Sequence, residues 1–137
     1  MNKLRGRIIK IESNDHVSLV DVDVMGDSFT ATLLETSDDA PYLKVGNNVD
    51  VLFKETEVSL AKGLTGLISL RNRVMTTVKL VRSGVILSEV VLDYRGQTIS
   101  SIITTRSIKR LDIKPGDEIE ALIKANEVTL MEVEDGL

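Results

Sequence analysis

The sequence predicts an all-β protein built from two copies of one small unit. Sliding the 137-residue chain against itself by 70 positions, so that residue 2 meets residue 72, gives an ungapped register over nearly its whole length. Identical residues meet at a dozen positions, among them Asn2 with Asn72 and Lys54 with Lys124. Within each unit, apolar residues recur at every second position, as expected of half-buried strands. We therefore interpret the chain as a tandem duplication of a β-rich unit.

Each unit contains five predicted strands. The first is rich in Ile and Val, and the second alternates valine with aspartate over residues 20–24, which predicts a strand with one buried face. Gly26-Asp27 and Arg95-Gly96 then mark tight turns before the third strand. The predicted strands are 4–12, 17–25, 28–34, 49–54 and 57–60 in the first unit; in the second unit the first strand is 74–82, and the third to fifth strands are 98–104, 118–124 and 127–131.

One helical stretch follows the third strand, and it is clearest at residues 106–111, where the turn at 114–117 ends it. In the first unit the equivalent residues 37–41 include Pro41, which lacks a backbone donor, so a shorter or distorted turn is expected there. Five short strands with a small helix after the third are the pattern of an OB-type barrel. The predicted fold is therefore two tandem OB-fold-like five-stranded barrels, each with one short helix.

The repeat also predicts the domain organisation. Residues 1–62 form the first repeat, residues 67–131 the second, and residues 132–137 an acidic tail. A unit of about 60 residues buries only about 60% of its surface and is marginal alone. We therefore expect the two units to pack against each other, against another chain, or both.

Composition excludes several classes of function. The chain has no Cys and one His, His16, so thiolate metal sites, iron–sulfur clusters and a His-ligated zinc centre are excluded. We expect no enzyme and no site for a free metal cation. No segment approaches the roughly 20 apolar residues of a membrane span, and the N-terminal segment lacks the apolar run of a secretory signal, which predicts a cytoplasmic protein without a membrane partner. The net charge of −4 argues against nucleic acid.

Hydrogen-bond donors recur at the start of the second unit and at the ends of two strands. Ser69 and Arg71 alternate with apolar residues and would project from one face of an extended segment, although an ordinary strand edge has the same pattern. Lys54 and Lys124 each end an apolar run at the same repeat position, where a lysine commonly extends to water. Asn72, like its repeat equivalent Asn2, is interpreted as a turn-forming residue.

The start of the predicted helix adds further donors. Ser107 stands near the helix start with Arg110 three residues on, and both could face an anion, although a simple cap and a solvated arginine are the commoner case. Serine, arginine, lysine and amide donors together suit a fully deprotonated tetrahedral oxyanion, whose oxygens only accept hydrogen bonds. Such a pocket rejects a protonated phosphate, whose own donor finds no acceptor there. The sequence therefore favours an oxyanion-binding protein with roughly micromolar affinity.

These residues, in this order and on this duplicated frame, resemble the molbindin family, which comprises small cytoplasmic proteins and modules that bind molybdate and often tungstate. The Ser-x-Arg-Asn motif that opens a strand in the family is similar to residues 69–72. Its helix and following Gly-Asp-Glu turn resemble residues 107–118, and its Ile-Lys-Ala resembles residues 123–125. The resemblance implies an OB-like fold in each unit and binding sites shared between the chains of a dimer or trimer.

The resemblance also implies which residues bind the oxyanion. Ser69, Arg71, Lys124 and the backbone at Ala125 would hold it from one side, and Ser107 and Arg110 would complete the site from a neighbouring subunit or unit. The first unit departs from the pattern, because Met1 stands at the position of Arg71 and Ala40 at that of Arg110. Only Ser37 and Lys54 remain there, so any first-unit site is expected to be weaker.

The leading hypothesis is a homo-oligomeric protein that binds molybdate or tungstate for storage and homeostasis. Neither a helix-turn-helix segment nor a glycine-rich phosphate-binding loop is found, which favours a free-standing binding protein over a transporter or regulator module. Two alternatives stay open, namely an anion-sensing module that acts on a protein partner and, less favoured, an OB-fold nucleic-acid binder. The second needs exposed aromatic residues, whereas the chain offers only Phe29, Tyr42, Phe53 and Tyr94. The preference between molybdate and tungstate also stays open.

Overall fold

The computed structural model describes residues 1–133, and its ten strands fall into two matching series. The predicted fold class is confirmed. The first series is β1 (Asn2–Asn14), β2 (Val17–Val24), β3 (Asp27–Leu33), β4 (Asn48–Phe53), a first 3₁₀ turn (Glu55–Glu57) and β5 (Ser59–Ala61). The second is β6 (Asn72–Arg82), β7 (Leu87–Tyr94), β8 (Gln97–Thr104), α1 (Thr105–Leu111), β9 (Glu118–Ile123), a second 3₁₀ turn (Ala125–Glu127) and β10 (Thr129–Glu132).

The helix predicted for each unit forms only in the second. In the first unit, bends and turns occupy the stretch between β3 and β4, as the presence of Pro41 predicts. The 3₁₀ turns between the last two strands of each unit were not expected from the pattern. No helix in the described part of the chain is long and apolar enough to cross a membrane.

The two units exchange their last strands. The first sheet has the order β10-β4-β1-β2-β3, and the second has the order β5-β9-β6-β7-β8. The final strand of each unit thus pairs with the fourth strand of the other, with Leu130 opposite Val51 and Leu60 opposite Ala121. All of the strand pairs are antiparallel. Each sheet therefore takes one of its outermost strands from the other unit.

The hairpins between the second and third strands have matching tight turns. The central residues are Met25-Gly26 in the first unit and Arg95-Gly96 in the second, and all four have positive φ. This conformation is the type I′ turn, whose twist matches that of the flanking strands. The first turn thus lies one residue earlier than the predicted Gly26-Asp27.

A shared core joins the two units. Val20, Val22 and Val24 of β2 are buried, whereas Asp21 is half-buried and Asp23 is exposed, as their alternation predicts. The rings of Phe29 and Phe53 are 6.2 Å apart, and Phe29 also meets the edge of Tyr94 from the second unit at 6.3 Å. All three side chains are at most 1% exposed. These rings therefore hold the units together and do not form an exposed stacking surface.

Two asparagines link the units, and the turn-forming role predicted for them is wrong. The side-chain amide of Asn72 donates to the carbonyl oxygen of Thr30 at 2.9 Å and accepts from the Thr30 backbone N–H at 2.7 Å. Asn2 makes the equivalent pair with Ser100, at 2.8 Å in both directions. Each asparagine lies inside the first strand of its unit and is buried. A strand-opening asparagine here satisfies the backbone of an edge strand in the other unit.

Candidate functional site

Two of the predicted site residues lie side by side at one end of the second sheet. The β6–β9 ladder ends with Asn72 opposite Ile123, so Arg71 and Lys124 are the next residues on the two neighbouring strands. Ala125 follows directly and opens the second 3₁₀ turn. Ser69 stands two residues before Arg71, within about 7 Å along the chain. The structure therefore places Arg71, Lys124 and Ala125 at the same end of the second sheet, with Ser69 close by in sequence. This end, where β6 begins and β9 ends, is called the site edge below.

The charges of this edge are available to a ligand. Arg71 and Lys124 are both exposed, and no salt bridge found in residues 1–133 includes either of them. Arg73, two residues along the same strand, is different because its guanidinium donates two hydrogen bonds to Glu120, at 2.8 and 3.0 Å. Those bonds raise the pKa of Arg73 and fix its side chain on the sheet. Of these two arginines, Arg71, which directly precedes β6, is the one left to meet an anion.

The helix residues lie elsewhere in the same chain. Helix α1 starts where β8 ends, and Thr104 at that end pairs with Leu87 at the start of β7. Because β7 follows the far end of β6, Ser107 lies at the opposite end of β6 from Arg71. The helix is capped by Thr104, whose hydroxyl accepts from the Ser107 backbone N–H at 3.1 Å and donates to the Ser107 hydroxyl at 2.9 Å. Ser107 is thus in the first turn of the helix, and Thr104 is its cap.

Arg110 is also remote from the edge that holds Lys124. Arg110 lies in the last turn of α1, and the carbonyl of the next residue, Leu111, accepts a hydrogen bond from Lys62 at 3.0 Å. Lys62 also forms a salt bridge at 3.0 Å with Asp117, the residue before β9, whereas Lys124 follows the end of β9. Six residues of strand span about 20 Å. Within one chain, the structure therefore does not bring Arg110 and Ser107 to the pair formed by Arg71 and Lys124.

The first unit carries carboxylates at the equivalent edge. Lys54 occupies the place of Lys124, but Glu55 stands where the second unit has Ala125. Glu55 accepts a hydrogen bond from the amino group of Met1, and this bond holds the pKa of Glu55 below its usual value. A cavity of about 220 Å³ adjoins this edge, lined by Met1, Leu52, Phe53, Lys54, Glu57, Asn126, Glu127 and Thr129. Acidic groups thus surround the one lysine of this cavity.

Ser37 and Lys54, the predicted residues of a weaker first-unit site, lie at opposite ends of β1. Lys54 follows Phe53, which pairs with Asn2 at the start of β1. Ser37 follows β3, whose last residue pairs with Ser18, and Ser18 in turn pairs with Ser13 near the end of β1. The Ser37 hydroxyl donates to the carbonyl oxygen of Leu43 at 2.9 Å. A single chain therefore places these two donors apart.

Two residues beside the candidate site residues, Glu55 and Thr104, are not among those predicted from the sequence. Direct comparison of the two repeats would have singled out Glu55, because it is the acidic counterpart of Ala125. Threonine is a favoured residue at the N-cap of a helix, so its position just before the predicted helix could have identified Thr104 as the cap. In the part of the chain that the structure describes, no group of three or more His, Asp or Glu side chains is arranged to hold a metal ion.

Both the sequence and the fold are similar to those of known proteins. Residues 68–130 match the TOBE domain family. Molybdenum-pterin-binding protein 3 of Clostridium pasteurianum is 38% identical over 65 residues, which cover 47% of this chain and 96% of that protein. Molybdenum-pterin-binding protein MopB of Rhodobacter capsulatus is 38% identical over 107 residues, 77% of this chain, and the matched part spans only 40% of MopB. The crystal structure of the cytoplasmic molybdate-binding protein ModG with molybdate bound superposes with a TM-score of 0.90 at 29% identity, covering 96% of both chains.

Proposed function

Because the chain belongs to the molbindin family of TOBE-domain proteins, we propose that it binds molybdate, or the similarly sized and charged tungstate, in a site of hydrogen-bond donors. The observation that carries this proposal is the pair formed by Arg71 and Lys124. The two residues lie directly beyond the last paired position of β6 and β9, both are exposed, and the salt bridges of the described residues leave both out. The similarity to molybdenum-pterin-binding proteins and to ModG supports the choice of ligand.

The donors of this edge suit the chemistry of the ligand. Ser69, Arg71, Lys124 and the backbone N–H of Ala125 hold the oxyanion from one side. A molybdate dianion has four oxygens that accept hydrogen bonds and no proton to donate, so a set made only of donors is complementary to it. Each charge-assisted hydrogen bond contributes about 1.5–3 kcal/mol. Four of them, less the cost of immobilising the ligand, are consistent with roughly micromolar affinity.

The other side of the site comes from a second copy of the chain. Ser107 and Arg110 are the remaining donors of the predicted set, and they lie about the length of a strand away from Lys124 within one chain. A homo-oligomer, either a dimer or a trimer, would bring these helix residues of one subunit to the strand edge of another. The site is thus shared between subunits, and its formation depends on assembly.

The first repeat, residues 1–62, carries the weaker site, and the second, residues 67–131, carries the stronger. Lys54 and Ser37 are the donors left in the first repeat. The carboxylate of Glu55 stands beside Lys54 where the second repeat has a neutral alanine, and because it pairs with the Met1 ammonium, that positive charge is offset at the edge where a dianion would bind. The lowered pKa of Glu55 keeps this carboxylate charged at neutral pH.

The biological role that fits a donor-only site is storage and homeostasis of the oxyanion in the cytoplasm, without turnover. The ligand is bound through hydrogen bonds alone, so it can be released unchanged when its free concentration falls. The similarity to ModG, a cytoplasmic molybdate-binding protein, supports the ligand and the cytoplasmic location.

Isothermal titration calorimetry with molybdate, tungstate, sulfate and phosphate tests the proposal. We expect saturable binding of molybdate and tungstate with a dissociation constant of roughly micromolar order, and much weaker binding of phosphate, because its proton meets no acceptor. Sedimentation analysis of the same sample should show a dimer or a trimer. No heat with either metal oxyanion at a protein concentration of about 100 micromolar would refute the proposed function.

A further inference from the structure

Asn72 connects the candidate site to an edge strand of the other repeat. Its side chain forms two hydrogen bonds with the backbone of Thr30, at 2.7 and 2.9 Å, and is 1% exposed. Thr30 belongs to β3, which is the outermost strand of the first sheet. The N–H and C=O groups of an outermost strand lack a sheet partner on one side. Asn72 supplies both partners at once, so it fixes the beginning of β6 against β3.

This link lies at the last paired position before the site. Asn72 pairs with Ile123 at the end of the β6–β9 ladder, and Arg71 and Lys124 are the next residues outward. Consecutive Cα atoms are about 3.8 Å apart, so the Arg71 Cα lies one such step from the residue whose side chain is fixed to Thr30. The second 3₁₀ turn, which begins at Ala125, also packs against β3. Strand β3 therefore contacts the chain beside both halves of the Arg71–Lys124 pair.

A matched link occurs in the first repeat, where Arg71 has no counterpart. Asn2 bonds Ser100 of β8 in the same two directions, and β8 is the outermost strand of the second sheet. The residue before Asn2 is Met1, which has no guanidinium. The two links thus share their geometry, although the one from Asn2 is less deeply buried, and they differ in whether an anion-binding side chain stands next to them.

We propose that Asn72 is a positioning residue for the oxyanion site, which holds Arg71 in register with Lys124 by bonding the backbone of Thr30. This inference rests on the proposed function. A flexible arginine and a flexible lysine bind an anion well only when their backbones are held in place beforehand, because otherwise binding must also order them. The bonds from Asn72 to Thr30 provide that order by anchoring the start of β6 to the first repeat. The repeats therefore depend on each other in binding as well as in folding.

Calorimetry with molybdate on Asn72→Ala and Asn2→Ala tests this inference in the full-length protein. Both variants lose an equivalent buried pair of hydrogen bonds, so both should melt at a lower temperature by a similar amount. Only Asn72→Ala should lose affinity, by about tenfold or more, whereas Asn2→Ala should stay within about twofold of the wild type. The titrations are run well below both melting temperatures, so that a loss of stability alone does not change the affinity.

The outcomes separate this inference from the proposed function. If the wild type binds molybdate and Asn72→Ala binds equally well, the positioning role is refuted while the proposed function stands. Equal losses of affinity in both variants would also refute it, because they would indicate a general effect of loosening the repeats. If the wild type binds no metal oxyanion, the proposed function itself fails. Should Asn72→Ala not fold, the milder pair Asn72→Ser and Asn2→Ser gives the same comparison.

Discussion

Replacing Lys124 by alanine should weaken molybdate binding strongly without destabilising the fold. Lys124 follows β9 and is exposed, and the salt bridges and side-chain hydrogen bonds of residues 1–133 do not include its ammonium. Removing an exposed side chain with no such partner changes the free energy of unfolding by at most about 0.5 kcal/mol. A charge-assisted hydrogen bond to the oxyanion contributes about 1.5–3 kcal/mol, which corresponds to a loss of affinity of about 10- to 150-fold.

Lys54→Ala is the matched control for this substitution. Lys54 occupies the same place in the first repeat and is also exposed, so its removal takes away the same charge and the same stem. Removing any positive charge weakens anion binding through the general field of the protein, but salt screens exposed charges beyond about 8 Å. We expect Lys54→Ala to weaken molybdate binding by about threefold or less in calorimetry at physiological salt. If Lys54→Ala weakens binding as much as Lys124→Ala, or if neither does, Lys124 is not a ligand.

Ala125→Glu introduces into the second repeat the carboxylate that the first repeat carries as Glu55. Calorimetry should show that molybdate affinity falls by about tenfold or more. Unchanged affinity would contradict the proposed site. Tyr94→Phe removes the hydroxyl that donates to the buried Val24 carbonyl and to Asp27. Urea denaturation should show that the free energy of unfolding falls by about 1–3 kcal/mol. An unchanged free energy of unfolding would show that the fold does not need these bonds. The Lys114 backbone N–H, and then Lys62, lower the pKa of Asp117. Its carboxylate therefore stabilises the fold above its unfolded pKa of about 4, and this stabilisation is lost as the pH falls through the folded pKa. The melting temperature of Asp117→Asn should lie below that of the wild type at pH 7 and converge with it as the pH falls below the folded pKa of Asp117, and a constant difference would refute the linkage.

The strands could be predicted because their signals are local. The valine–aspartate alternation of β2 and the 70-residue repeat are properties of the sequence itself, and the structure places Val20, Val22 and Val24 inside as the alternation predicts. Pro41 likewise removes a backbone donor wherever it stands, which accounts for the missing helix in the first unit.

The exchange of last strands could not be predicted, because it depends on a choice between equivalent partners. The fourth strands of the two repeats present the same backbone groups, and apolar residues such as Leu60 and Leu130 fit beside either one. The asparagine links were missed for a related reason. A polar residue that opens a strand has the same local pattern whether it forms a turn or bonds a distant edge strand, as Asn72 does.

The residues of the candidate site likewise include some whose position could be predicted from the sequence and some whose position could not. The resemblance to the molbindin family puts Arg71 and Lys124 on one side of the site, whereas the β6–β9 ladder that brings them together pairs the first and fourth strands of the unit, which the local pattern does not specify. The positions of Ser107 and Arg110 depend on where α1 begins, and the cap at Thr104 lies three residues before the serine that the pattern favoured. Whether these two residues reach a site depends on a second subunit, and the sequence of one chain does not contain that geometry.

A crystal structure of the protein grown with molybdate would test the central claim most directly, with anomalous diffraction used to locate the molybdenum. The account predicts one strong anomalous peak for each second repeat, surrounded by the side chains of Ser69, Arg71 and Lys124 and the backbone N–H of Ala125, with Ser107 and Arg110 of another subunit on the far side. A peak bound elsewhere, or one at which Arg71 and Lys124 contact no oxygen of the ligand, would contradict it.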